Sequence, residues 1–314
     1  MIWQEIVIEL VQAAVLIAIA PLMSGIVSKF KALMQKRVGA SIFQPYRDLA
    51  KLFRKDSVKS RSCSWVFRAV PYVCMASMVV LAMMTPFVYT GVLAPFGDLV
   101  AVVYLFTMFR FAMVLGGLEG GSTFGGMGSS REMMMSVLIE PALLLAIATL
   151  AVISGAGTDM GGISANIAEM GLAALTPALI LAGASFMITL LAENARIPFD
   201  NPTTHLELTM VHEAMMLEYS GRGLAMMELS SMMRLTIFMA MVGSLFFPWG
   251  IASDITVVSL GTSVIVMAVK MVLVAFVLSL VESALCKTRL FKTPNLLTAS
   301  FTLSLLAMIS LYIL

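Results

Sequence analysis

Charge is what this sequence has least of. Only 12% of its 314 residues are charged, whereas 60% are hydrophobic. Soluble domains are about a quarter charged, so a cytosolic enzyme carrying one greasy helix is excluded. Sulfur ligands are equally sparse. Cys63, Cys74 and Cys286 are scattered without a CxxC pair, and there are two histidines. An iron–sulfur cluster or a closed zinc site needs about four clustered ligands, so no such cofactor is expected in this chain. The start, Met1-Ile-Trp-Gln-Glu, lacks the basic region of a signal peptide, and the first apolar block reads as a retained span. Two-residue alternation over about ten positions is missing too, which excludes a membrane β-barrel. With 20 Lys and Arg against 18 Asp and Glu, no nucleic-acid partner is expected.

What is present is a series of apolar blocks of roughly 20 residues, the length of a helix crossing a bilayer. Eight can be drawn, at about 6–28, 69–90, 98–117, 134–154, 173–192, 229–248, 256–281 and 295–313. The expected fold is an all-α integral membrane protein, residues 1–314 forming one polytopic domain. The connections alternate between two sides. Residues 29–68, 118–133, 193–228 and 282–294 lie on one, and hold 17 of the 20 Lys and Arg. The N-terminus and residues 91–97, 155–172 and 249–255 lie on the other and hold none. The positive-inside rule puts the first side in the cytoplasm and both termini outside, in a cell (inner) membrane.

Glu9, Arg110, Glu140, Arg234 and Lys270 fall inside apolar blocks. A charge at the bilayer centre costs about 2.5–3.5 kcal/mol on the insertion scale, so such residues normally face a bundle interior and mark proton or ion paths. Arg110 and Lys270 sit near mid-span. Arg234 and Glu140 are near the cytoplasmic edge, where snorkelling is the competing reading.

The segment Glu193-Asn-Ala-Arg-Ile-Pro-Phe-Asp200 ends the fifth span at Pro198 and Pro202. Thr204 with Glu207 then reads as a capping box and Gly221 as a stop, predicting a cytoplasmic amphipathic helix of about four turns between spans five and six. Glu207 and Glu218 would lie within about 20° of each other and roughly 16 Å apart, with His205 and His212 on the opposite stripe. The acids read either as stations of a proton route or as the solvated face of a docking helix. His212-Glu-Ala-Met-Met has Met216 where a zinc-protease helix needs its second histidine. The Gly-rich run Gly116–Gly128 lacks a phosphate loop's Lys-Ser/Thr and reads as a tight connection. The 28 methionines read as adaptable filler. Between 29 and 68, Leu49, Leu52 and Phe53 form an apolar stripe beside Arg47, Lys51, Arg54 and Lys55, which reads as a lipid-surface helix or a docking surface for a soluble subunit.

Taken together, Glu193–Asp200, the acid-bearing stretch after it and Glu218-Tyr-Ser-Gly221 resemble the cytoplasmic loop of the membrane subunit shared by respiratory complex I (subunit 1/H) and membrane-bound [NiFe] hydrogenases. Lys36-Arg-Val-Gly with Gln44-Pro-Tyr-Arg-Asp-Leu-Ala-Lys-Leu-Phe resembles that family's first cytoplasmic loop, and Arg131-Glu-Met-Met-Met-Ser-Val-Leu-Ile-Glu-Pro141 its fourth-span signature. The wording around Tyr46 and from Thr204 to Met215 is similar to the hydrogenase branch (formate hydrogenlyase, hydrogenase-4 and energy-converting hydrogenase membrane subunits). Thr203 and His205 stand where complex I chains usually carry acids, and the stretch is about three residues longer.

The resemblance implies a non-catalytic subunit that couples a cytoplasmic redox arm to antiporter-like membrane subunits. Its expected partners are hydrogenase large and small subunits and an iron–sulfur subunit, which would hold the [NiFe] centre and clusters, and the lipid bilayer. The implied ion path comprises Glu140, Glu193, Asp200, Glu207 and Glu218. Glu213, His212, Arg110 and Lys270 join it from the residue reading. Arg37, Gln44, Tyr46, Arg47, Asp48, Lys51, Arg131 and Arg196 are the expected docking residues. The alternative is the quinone-site subunit of a complex I-like dehydrogenase.

Overall fold

The computed structural model describes residues 2–59, 63–89, 97–200, 210–252, 256–288 and 292–313. Among these are eleven α-helices: α1 (Ile2–Met34), α2 (Gln44–Arg54), α3 (Trp65–Met84), α4 (Leu99–Glu119), α5 (Thr123–Ser154), α6 (Met160–Met170), α7 (Pro177–Glu193), α8 (His212–Met216), α9 (Gly221–Met241), α10 (Val257–Ala284) and α11 (Thr293–Ile313). No strand occurs among the described residues. Isolated bridges join Tyr89 to Ala252 and Asp98 to Asp159.

Each apolar block of the sequence lies mainly within one long helix, because a segment in lipid must satisfy its own backbone. Seven helices are long and apolar enough to cross a membrane. The fifth block, 173–192, became α7, of 17 residues and about 25 Å. Local chemistry sets the starts. Ser64, Asp98, Ser122, Asp159, Thr176 and Thr256 each cap the following helix with a side-chain oxygen, filling donors that the first turn leaves open.

Two expectations need correction. The segment after Pro202 does not form a four-turn helix ending at Gly221. Its described part holds only the five-residue α8, because Val211 N–H bonds Asp200 Oδ2 at 3.0 Å and holds the chain back against the 194–200 turn. Residues Thr203, Thr204, His205 and Glu207 lie outside the described residues. Gly221, at φ +55°, opens α9 instead of closing a helix. The Gly-rich outer connection after Gly155 is partly helical, as Asp159 accepts from Gly161 and Gly162 N–H and starts α6.

α9 packs against α1, α2, α3 and α10, and from Met233 to Met241 it is fully enclosed. Phe106 of α4 stacks on Phe238 of α9 at 4.3 Å, and Phe186 of α7 lies 5.7 Å from Phe238. After Met241 the helix widens into one π turn, Val242–Phe246. α7 and α11 are joined by reciprocal bonds: Ser185 Oγ donates to Ser300 O at 2.8 Å and Ser300 Oγ to Ser185 O at 3.0 Å. Interhelical hydroxyl contacts of this kind hold helices together where lipid removes the hydrophobic drive.

Candidate functional site: a closed ring of buried charges

Five side chains from five helices form a ring. Arg110 (α4) reaches Glu132 (α5) with Nε at 3.4 Å and pairs with Glu193 (α7) through Nη2. Glu193 Oε2 lies 3.9 Å from Arg234 Nη1 (α9). Arg234 Nη2 contacts His212 Nε2 (α8) at 2.8 Å, and His212 Nδ1 lies 3.9 Å from Glu132 Oε2, closing the circuit. None of the five side chains is more than 6% exposed. Glu140, two turns along α5 from Glu132, joins from outside by a 3.0 Å bond to Arg110 Nη1 and is 36% exposed. The Arg234 guanidinium also lies 4.7 Å from the Phe109 ring centre, a cation–π contact.

The sequence folds to deliver these groups. Along α5, Gly125, Gly128, Ser129, Glu132, Met135, Ser136, Ile139, Ala142 and Ala146 are all buried, a helical series at steps of three and four that carries Glu132 inward. α8 seats His212 because Gly128 leaves room: a Cβ there would lie 2.8 Å from Val211 O. The Gly-rich run is therefore a close-packing surface between α4, α5 and α8 as well as the tight connection at residues 120–122.

A guanidinium only donates, so His212 Nε2 accepts and the ring proton sits on Nδ1, facing Glu132. Burial, and then the Arg234 charge, hold the His212 pKa below its ordinary value. Two guanidiniums, two ring carboxylates and a neutral imidazole balance, leaving Glu140 as an additional acid. Among the described residues, Arg110 Nε, Glu193 Oε2, Arg234 Nε and Nη1, and His212 Nδ1 have no hydrogen-bond partner. The ring holds its charges by proximity, with directional capacity to spare.

A cavity of about 510 Å³ adjoins the ring, bounded by α1, the 194–200 turn, α8 and α9, and lined by Arg196, Asp200, His212, Glu213 and Glu228 among others. His212 belongs to both ring and cavity. Two outer ion-pair groups fix this wall. Glu282 of α10 binds Lys31 at 3.0 Å and Arg196 at 3.2 Å, and Lys287 binds Asp200 at 3.2 Å.

Of the residues expected on an ion path, Arg110, Glu140, Glu193 and His212 come together. Asp200 and Glu213 line the cavity. Glu218 is exposed beyond α8, Glu207 lies outside the described residues, and Lys270 stands apart on α10. Among the expected docking residues, Arg37, Arg47 and Lys51 are exposed. Gln44 donates to Asp48, Tyr46 OH donates to Ala18 O at 2.5 Å, Arg131 to Met210 O at 2.9 Å, and Arg196 is held by Glu282. Glu132 is not among the expected residues, although the periodicity of its own helix marks it. Arg234, for which snorkelling competes with a functional reading in the sequence, is fully buried. Among the described residues no group of three or more His, Cys, Asp or Glu is arranged to hold a metal ion.

The model of a family described as NADH dehydrogenase matches residues 6–313. Hydrogenase-4 component C of Escherichia coli (strain K12) is 35% identical over 303 residues, covering 96% of this chain and 94% of the relative. Formate hydrogenlyase subunit 4 of the same organism is 34% identical over 308 residues, covering 98% and 99%. A chain in the structure of the membrane-bound sulfane sulfur reductase, an archaeal respiratory membrane complex, superposes with a TM-score of 0.84 at 19% identity, covering 98% of this chain and 99% of that one; at that identity the likeness speaks for the fold alone.

Proposed function

Since the chain belongs to the NADH dehydrogenase family of membrane subunits, we propose that it anchors the cytoplasmic redox arm of a membrane-bound [NiFe] hydrogenase and carries protons between that arm and its membrane partners. The full-length likeness to hydrogenase-4 component C and formate hydrogenlyase subunit 4 supports the hydrogenase reading. The Lys and Arg asymmetry supports an orientation with α2, α8 and the cavity at the cytoplasmic side of an inner membrane and both termini outside. Exposed Arg37, Arg47 and Lys51 then face the redox arm, whose large, small and iron–sulfur subunits hold the nickel and the clusters. Antiporter-like subunits are the partners within the bilayer.

The observation that carries the proton role is the ring with its cavity. A proton reaching the cavity acids Glu213 and Asp200 meets His212, the one ring member that is both uncharged and in contact with the cavity. Protonated, His212 can no longer accept from Arg234, and two cations then stand side by side. Passing the Nδ1 proton to Glu132 across 3.9 Å, with one small shift or one water closing the gap, removes the second charge, and a flip of the imidazole then turns its remaining proton back toward Glu132 and its bare nitrogen toward Arg234. With Glu132 protonated, Arg110 shifts its pairing toward Glu193 and Glu140, and bridging water carries the proton from Glu132 to Glu140, two turns along the same helix and partly exposed. Charge changes in the redox arm bias where the proton rests.

The test is Glu140→Gln in the assembled complex, reconstituted into vesicles and assayed for nickel, hydrogen evolution and proton movement. Loss of a positioned proton-transfer group is expected to slow proton movement by about 10²-fold or more, with nickel content and assembly intact. Unchanged coupled proton movement in an intact complex would reduce the ring to a structural clamp.

A further inference from the structure

Lys270 lies at the midpoint of α10, remote from the charge ring. Its ammonium donates to Gly243 O at 3.2 Å and to Phe247 O. The first of those carbonyls belongs to the π turn at 242–246 and the second to the residue that follows it. An ammonium has three N–H donors, so one remains, and among the described residues no carboxylate pairs with it. Around it lies a groove of about 640 Å³ between α7, the π turn and α10. Apart from Lys270 its wall is apolar. Ile180, Leu273, Val277 and Phe247 on this wall are exposed. Gly183 and Ala184 of α7 supply a low stretch of it, the kind of surface against which another helix packs closely in lipid.

We propose that this groove receives a transmembrane helix of another membrane subunit, one that carries a carboxylate at the depth of Lys270. The argument is charge complementarity. A cation at mid-helix in lipid is costly and normally paired, and the two carbonyls solvate the ammonium without neutralising it. Lipid chains would fill the volume but leave the charge. An acidic side chain on an apolar helix fills the groove, takes the remaining N–H and cancels the charge at once. This proposal rests on the reading that the chain works inside a membrane complex, and it adds the place and chemistry of one lateral contact.

The experiment places a photo-crosslinking amino acid at Ile180 of the tagged full chain in native membranes and identifies the linked peptide by mass spectrometry. Val264, on the far side of α10 beside α1, serves as the control position. The expected product from position 180 is a transmembrane segment of a second membrane subunit containing Asp or Glu. Lys270→Met should lower its yield at least about fivefold, the scale of one modest polar contact, while Lys270→Arg retains it. Links to lipid only, a helix without a carboxylate, or equal yield from Lys270→Met would overturn the proposal even though the complex co-purifies. If no other membrane subunit co-purifies with the tagged chain, the membrane-complex reading falls and the proposal with it.

Discussion

Arg234 Nη2 and His212 Nε2 stand 2.8 Å apart in a fully buried contact, and because a guanidinium has no lone pair to offer, this one distance fixes the tautomer of the imidazole. The proton is on Nδ1 and faces Glu132. A short helix outside the membrane spans is thereby connected to α9, and the assignment can be checked from several directions.

The first check is pH. Burial and Arg234 lower the His212 pKa in the folded protein, so the unfolded chain binds the proton more readily. Stability is therefore complete above the unfolded value of about 6.5 and is lost as pH falls from there through the folded value. Thermal unfolding of the detergent-solubilised protein between pH 7.5 and 5, compared between wild type and His212→Gln, is the measurement. The wild type should lose stability toward acid, and the difference between the two should narrow.

Glu132 and Glu140 contact the same arginine but differ in exposure, with side chains 3% and 36% exposed. Glu132→Ala leaves buried Arg110 and His212 short of a partner, and breaking such a pair costs about 3–5 kcal/mol. Glu140→Gln should cost about 1 kcal/mol or less. Denaturation midpoints should thus separate the two acids clearly, with Glu132→Ala assembling poorly and Glu140→Gln assembling well.

The Ser185–Ser300 pair predicts coupling between α7 and α11. Each single alanine substitution should cost about 0.6–1.7 kcal/mol, the range for interhelical hydroxyl bonds in lipid. The double substitution should fall short of the sum only by what the shared Oγ–Oγ contact at 3.0 Å carries, because each single change removes its own bond to a backbone carbonyl. Equilibrium unfolding of all four proteins reads this directly.

Glu282 holds Lys31 and Arg196, and through Arg196 it secures one wall of the cavity. Glu282→Gln should raise hydrogen exchange in residues 194–200 and around α8 while leaving α4 and α5 protected. Equal protection throughout would mean that the Asp200–Lys287 pair suffices to hold that wall.

Much of the scaffold was legible in the sequence, because a bilayer allows few ways to satisfy a backbone, and blocks of about 20 apolar residues announce themselves. Arg110 and Glu140 were legible for a related reason, since charges within apolar blocks stand out, whereas Glu193 was marked only by the family resemblance of its loop. Glu132 was harder to see since it sits beside Arg131 in what resembles a polar connection. Only the unbroken run of α5 through that connection gives it a buried face. The stretch before Gly221 misled because Thr204 and Glu207 obey a local capping rule, whereas the described chain from Met210 is governed by a distant contact, Val211 to Asp200. Local signals report ends of helices well when nothing tertiary competes.

Each member of the charge ring is delivered by a different helix, and that has a consequence for biogenesis. Arg110 enters the bilayer first in chain order, and the first carboxylates it pairs with along the chain, Glu132 and Glu140 on α5, follow after a connection of only three residues, 120–122. α4 and α5 are thus suited to partition into lipid as a hairpin, the arginine already neutralised. Arg234 arrives with α9, when Glu193 and His212 have been synthesised. The order of synthesis keeps either guanidinium from meeting lipid alone, so exchanging helices between distant positions in the chain would impair insertion before it touched activity.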